Sequence, residues 1–161
     1  MQPGTRIADR LAAHPAYSYR HDSAVPAFPD EAPLIIYDGI CVLCSTAMTM
    51  IATRDRARRF RFTHAQGALG QALFRHYGLD PVAFETVLLI DNGIALGKLD
   101  MARRVGQQIG GPWHLFAAFA VLPGVLQDWC YDRIAKNRYR LFGRKDACIR
   151  PDPSWQARVI E

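Results

Sequence analysis

The stretch "LIIYDGICVLCSTAM", residues 34–48, constrains the fold of this chain more than any other. Leu34, Ile35, Ile36 and Tyr37 form an uninterrupted apolar run, the pattern of a strand buried on both faces. The run stops at Asp38-Gly39, and Cys41 and Cys44 follow where a helix begins. A CxxC pair at a strand–helix junction is open to three readings: a redox couple, half of a metal site, or two small residues in a core.

The segments on either side supply the context. Residues 1–33 hold Pro3, Pro15, Pro26, Pro29 and Pro33 with little periodicity. They are expected to be an irregular extension, with a short helix around Thr5–Ala13 and then an extended linker. From Leu34 the elements are legible. The first strand leads into a helix over Val42–Ala57, whose inward face uses Cys44, Ala47, Met48 and Ile51. A half-buried strand is expected at Phe60–Thr63, and "GALGQALFRHYG" is a helix closed by Gly78. "ETVLLIDNGIALGKL" gives two strands around Asn92-Gly93, a hairpin signal. Asp100 is the expected cap of a helix running to about Ile109. The resulting order, β-α-β-α-β-β-α over residues 34–111, is that of a thioredoxin-like α/β core. In that fold a redox CxxC occupies the first strand–helix junction. Residues 112–161 then read as a C-terminal helical extension and tail of the same domain. Leu115, Phe119, Leu122, Leu126, Trp129 and Ile134 are expected to pack the extension, and the end from Cys148 is expected to be mostly irregular.

At 161 residues and 50% hydrophobic, the chain has enough material for one ordinary core. Four cysteines are too few for a disulfide scaffold, and the opening residues have no apolar targeting segment, so a reducing cytoplasm is the expected location. The run Leu115–Leu126, interrupted at Pro123-Gly124, is shorter than the ~20 residues needed to span a bilayer. The net charge of +5 is uneven: residues 1–100 carry 10 Lys/Arg against 10 Asp/Glu, and residues 101–161 carry 10 against 5. Such a basic end is either a solvated face or a surface for an acidic partner or a weak membrane contact. A second basic run, Arg54–Arg61, sits at a helix end without a platform of stacking aromatics, so no nucleic-acid partner is expected. Structural zinc takes four ligands. Cys130 and Cys148 do not form a second CxxC, and histidines 14, 21, 64, 76 and 114 are not paired at ligand spacing. Neither metal nor cofactor is expected.

The redox reading assigns definite roles. At the first turn of a helix, Cys41 faces free backbone N–H groups and the positive end of the dipole, which favour thiolate. Cys44, one turn on, is within reach to resolve a mixed disulfide formed on Cys41. Asp38 is either the proton acceptor for Cys44 or a plain turn residue. Cys148 is either a third redox thiol or a buried structural cysteine, and Cys130 is expected in the core. Asn137-Arg138-Tyr139-Arg140, with Arg133 and Lys136, form a basic and aromatic patch, expected to pack the last long helix through Tyr139 and Phe142.

"YDGICVLC" resembles the signature of the DCC family of thiol–disulfide oxidoreductases, named for Asp-Cys-Cys, here Asp38, Cys41 and Cys44. The C-terminal half is similar to the same family through its Pro-Trp, its Leu-Pro, its Tyr-Asp…Ala-x-Asn-Arg-Tyr run and its Phe-Gly-Arg…Cys ending. The similarity extends from about Pro33 to Pro151. It implies a thioredoxin-like fold and exchange of a Cys41–Cys44 dithiol with a disulfide-containing protein or a small thiol compound, with an electron donor left unnamed. Thioredoxins carry a proline before the third strand that helps to hold substrate. Here that segment is Phe84-Glu85-Thr86-Val87, without proline. Thr86 is the expected residue facing the cysteines, with Tyr37 and Gly39 completing the substrate site. No His or Lys lies between the cysteines, which leans toward a reducing role. The competing reading is a binding module that docks an acidic partner or a membrane surface through its basic C-terminal helices.

Overall fold

The computed structural model describes residues 6–110, 124–145, 148 and 151–160. Strand β1, Leu34–Tyr37, is buried at every residue and lies inside a four-stranded sheet of order β2-β1-β3-β4. It pairs in parallel with β2, Arg61–His64, and antiparallel with β3, Leu88–Asp91. β3 pairs antiparallel with β4, Ile94–Gly97. Asn92 and Gly93, at φ 49° and 76°, make the tight turn between them, both in the left-handed region that Asn-Gly tolerates. Helices α2 (Val42–Arg54), α3 (Ala68–His76) and α4 (Lys98–Ile109) complete the thioredoxin-like β-α-β-α-β-β-α order.

Both faces of β1 are covered, which is why its sequence is continuous and not alternating. Leu34 and Ile36 face a core with Leu69, Leu73 and Phe74 of α3 and Ile7 and Leu11 of α1, Ile7–Ala12. Ile35 and Tyr37 face a second core with Met48 of α2, Met101 and Val105 of α4, and Trp155. Gly78 closes α3 as expected: its N–H bonds to Arg75 O and the Leu79 N–H to Phe74 O.

Four expectations need correction. First, α2 stops at Arg54, three residues early, because buried Asp55 turns inward to accept the Phe60 N–H at 3.0 Å. Second, Asp100 does not cap α4. It sits at the helix's third residue, 3.6 Å from Arg103, while the Lys98 N–H is met by Thr86 Oγ1 at 2.8 Å. Third, the end of the chain is mostly irregular as expected but is packed into the core and not a free tail. Helix α6, Pro153–Gln156, puts Trp155 edge-on to Phe62 with ring centroids 4.9 Å apart. The Ile160 N–H bonds to Phe62 O at 2.7 Å, so the tail extends the β2 edge. Arg158 pairs with Asp55 and bonds to the Ala52 and Phe60 carbonyls, all buried. Fourth, the N-terminal linker is pinned. The Tyr17 N–H bonds to Gly93 O at 2.9 Å, and a Cβ on Gly93 would lie 2.5 Å from the Tyr17 ring. Buried Tyr19 donates to Asp30 at 2.8 Å, and His76 bridges Ser18 and Asp22.

The last long helix is α5, Gly124–Phe142. Most of its expected apolar anchors are exposed, Leu126, Trp129 and Phe142 among them, while Ile134, half exposed, borders the space between α5, α2 and α4. Leu115, Phe119 and Leu122 lie outside the described residues. Arg138 and Tyr131 occupy the inward face instead. Among the described residues, no helix is long and apolar enough to cross a membrane.

Candidate active site

Cys41 is the N-cap of α2, with extended backbone at φ −81° and ψ 118°. Its Sγ accepts the Cys44 N–H at 3.3 Å, so the sulfur takes the place that a Ser or Asp oxygen takes in an ordinary cap. All four cysteines are free thiols. The Cys44 thiol donates to Cys41, and together with the Cys44 backbone N–H this lowers the Cys41 pKa to about 7, against the opposing effects of burial and of the Asp38 charge. The same thiol hydrogen bond, reinforced by burial, pushes Cys44 well up. The pair is therefore split into one thiol poised as thiolate and one that keeps its proton.

Cys41 is fully covered, in part by the chain beyond α5. The Val42 N–H meets Gly143 O at 3.5 Å, the Lys145 N–H bonds to Ile40 O at 3.0 Å, and Cys41 pairs with Arg144 in an antiparallel bridge. Cys44 is partly exposed and borders a cavity of about 370 Å³ between α2, α4 and α5.

Asp38 is 4% exposed and accepts four hydrogen bonds. Oδ1 takes the Ile40 N–H at 3.2 Å and Gln66 Nε2 at 2.6 Å. Oδ2 takes Arg138 at 3.0 Å and the Tyr139 hydroxyl. The Arg138–Asp38 ion pair is buried on both sides, and Arg138 also bonds to the Ala83 carbonyl at 3.1 Å and the Ala135 carbonyl at 3.2 Å. Gln66 closes the ring by accepting the Gly39 N–H at 3.1 Å. A carboxylate and a guanidinium separated by 100 residues thus lock α5 onto the strand–helix junction.

The remaining expected residues gather around this lock. Tyr37 is buried and its hydroxyl lies 2.9 Å from His64 Nε2; burial pushes its pKa up. Gly39 admits no side chain, since a Cβ would lie 2.5 Å from the His64 ring and 3.0 Å from the Cys148 sulfur. Thr86 lines the same cavity as Cys44 and Asp38, while its hydroxyl caps α4 and lies 3.5 Å from the Tyr131 hydroxyl. The structure thus brings together Asp38, Gly39, Cys41, Cys44 and Thr86. Cys148 is not buried. It is exposed, with its thiol 3.8 Å from Gln66 Oε1. Cys130 is exposed on α5 and outside the core.

Arg138, Tyr139 and Gln66 were not among the expected site residues. For the first two the available signal was the Ala-x-Asn-Arg-Tyr run in the C-terminal half. Gln66 carries no local pattern.

The chain is similar to known proteins over most of its length. The chain is 36% identical over 127 residues to YuxK of Bacillus subtilis (strain 168), covering 79% of this chain and 93% of the relative. It is 31% identical over 120 residues to a chloroplastic DCC family protein of Arabidopsis thaliana, covering 74% of this chain and 70% of that one. No solved structure matches. The model of the DCC1-like thiol-disulfide oxidoreductases matches residues 35–144, from β1 through α5 to the segment that covers Cys41. The aspartate and both cysteines fall within that span, and so does the arginine that holds the aspartate: the chain belongs to the DCC1-like thiol-disulfide oxidoreductase family.

Proposed function

We propose that the protein exchanges a Cys41–Cys44 dithiol with substrate disulfides. The Cys41 thiolate attacks one sulfur of the substrate, forming a mixed disulfide and releasing the first substrate sulfur as a thiolate, which takes up a proton. The Cys44 thiol then attacks the Cys41 sulfur, its proton passing to the departing second substrate sulfur. This forms the Cys41–Cys44 disulfide and releases the second substrate sulfur. Two electrons pass from the protein dithiol to the substrate disulfide, and an outside thiol reductant returns the pair to its reduced state.

The observation that carries this reading is the division of labour within the pair. One sulfur is the cap of α2 and ionises near neutrality, while its partner holds the proton. Asp38 has a positioning role: it holds Arg138, whose positive charge favours thiolate at Cys41, and it fixes the backbone that presents the pair. Thr86, Tyr37 and Gly39 shape the surroundings of the two sulfurs.

Trapping tests the order of steps. A Cys44→Ser variant given a disulfide-containing protein should accumulate a mixed disulfide through Cys41, visible as a reductant-sensitive adduct. A Cys41→Ser variant should accumulate none. Adducts through Cys44 or Cys148 in place of Cys41 contradict the assignment.

A docking module is the second reading. It draws on the outer face of α5, where Trp129 is exposed beneath the Arg133 guanidinium at 5.7 Å and Leu126 and Leu141 are also exposed. Absence of any adduct on Cys41 would favour it.

A further inference from the structure

Cys41 is the sulfur that the exchange needs first, and it is 0% exposed. Part of its cover is backbone. Gly143, at φ 90° and with its N–H on Tyr139 O at 3.0 Å, ends α5 and turns the chain back over the strand–helix junction. Gly143–Lys145 then run as a strap against Ile40–Val42. The Lys145 N–H bonds to Ile40 O at 3.0 Å, and the Val42 N–H meets Gly143 O at 3.5 Å. Arg144 therefore stands opposite Cys41 in an antiparallel bridge.

The register of this bridge matters chemically. Both hydrogen bonds belong to the flanking residues, so Cys41 and Arg144 form the narrow, non-hydrogen-bonded kind of pair, with Cα atoms about 4.5 Å apart. That spacing lies within the range that a disulfide spans. A cysteine in the place of Arg144 would thus present its sulfur to Cys41. The strap's side chains do little to hold it: Arg144 and Lys145 are exposed, and the Arg144 guanidinium lies 5.4 Å from the Tyr139 ring centroid. Removing the strap leaves the Ile40 carbonyl and the Val42 N–H without these partners, beside the nucleophile. An extended polypeptide replaces both with its own backbone, as an added strand does at a sheet edge. A small thiol compound has no such backbone.

We propose that the strap occupies the docking edge of the substrate, an extended polypeptide that displaces it and sets a disulfide-bonded cysteine in the place of Arg144. Cys41 attacks that sulfur, the new S–S bond forms as the substrate's own breaks, and the other substrate sulfur leaves as thiolate. The inference rests on the exchange reading and adds to it a substrate class and an autoinhibitory contact.

Two measurements on the full-length protein test it. In the first, iodoacetamide alkylates the reduced protein at pH 9, where Cys41 is thiolate throughout, and the peptides are weighed at intervals. Lys145→Pro deletes the N–H on Ile40 O and keeps the residue before it extended. It should speed Cys41 about fivefold, the worth of one hydrogen bond, relative to exposed Cys130 in the same molecule. Should that variant lose its cooperative unfolding transition, Arg144→Ala, which removes the ring contact, takes its place, with a faster Cys41 again expected.

In the second, a Cys44→Ser variant meets two probes. One is bis(2-hydroxyethyl) disulfide, and the other is the symmetric disulfide of a capped peptide with two alanines on each side of one cysteine. Methylating the backbone nitrogen of the alanine after the cysteine removes the donor for Ile40 O. It should slow mixed-disulfide formation on Cys41 about fivefold. Methylating the last alanine, whose N–H faces away from the edge, should change the rate by less than about twofold.

An unchanged Cys41 alkylation rate in the folded strap variant overturns the proposal, and so do equal rates for the two methylated peptides. The small disulfide separates the two readings. Mixed disulfides with it but not with the peptide, or with the peptide whatever its methylation, keep the exchange and overturn the docking edge. No mixed disulfide on Cys41 from either probe ends the exchange reading, and this proposal with it.

Discussion

At the scale of single residues, the chemistry turns on charges around one sulfur. The Cys44 thiol and backbone N–H hold Cys41 near 7, while Asp38 opposes and Arg138 assists. Thiolate absorbance near 240 nm should therefore rise with a midpoint near pH 7, and Cys41→Ser should remove that step. Asp38→Asn deletes the opposing charge and leaves Arg138 unneutralised, so the midpoint should fall below the native value. Breaking a buried ion pair on one side costs about 3 kcal/mol or more, so the same variant should unfold at lower denaturant. A midpoint that rises in Asp38→Asn would show that the carboxylate does not act on Cys41 by its charge. The local part of this site is readable in sequence because Asp38, Cys41 and Cys44 sit within one strand–helix junction. Arg138 resists such reading: an arginine amid exposed basic residues looks solvated until the fold brings it to an aspartate 100 residues away.

The same ionisation has a consequence for stability, with a definite sign. Cys41 is more acidic folded than unfolded, where a thiol titrates near 8.5. Its stabilising contribution is fully present above the unfolded value and is lost as pH falls through about 7. Cys44 acts in the opposite sense, because the folded state keeps its proton, but only as pH rises through the unfolded thiol range and beyond. Urea unfolding should therefore show stability rising from pH 7 toward 8.5 by an amount that Cys41→Ser abolishes.

At the scale of elements, legibility followed how local the deciding contacts are. The Asn92-Gly93 turn and the α3 closure at Gly78 depend on a few neighbouring residues, and both form as the sequence suggests. The end of α2 and the start of α4 depend on partners elsewhere: Asp55 turns to Arg158, and the Lys98 N–H is capped by Thr86. The tail is the clearest case. "PSWQARVI" has little periodicity, yet Trp155 is 3% exposed against Phe62, and Arg158 is buried on Asp55. Trp155→Ala should destabilise the protein by about 3 kcal/mol, measured by denaturant unfolding. An effect below ~0.5 kcal/mol, the range of surface substitutions, would show that the tail is not part of the core. α5 was misread for a related reason. Its apolar residues suggested the buried face, whereas the inward positions carry Arg138 and Tyr131 for the site.

At the scale of the whole molecule, a four-stranded sheet carries the Cys41–Cys44 pair at the end of β1 that leads into α2. α5 and the segment after it return to hold and cover that pair. The order of elements was legible because a strand buried on both faces, an Asn-Gly hairpin and the positions of the cysteines agree with one another. The covering of Cys41 by Gly143, Arg144 and Lys145 was not, since it rests on backbone contacts that no side-chain pattern encodes. The central claim is that Cys41 and Cys44 form one reversible couple. It is tested most directly by equilibrating the wild-type protein in glutathione buffers from reducing to oxidising, alkylating under denaturing conditions and weighing the peptides. The account predicts a single two-electron transition in which Cys41 and Cys44 become protected together as an intramolecular disulfide, with Cys130 and Cys148 alkylated throughout. Four alkylated cysteines across the whole range, or a disulfide mapped to any other pair, would contradict it.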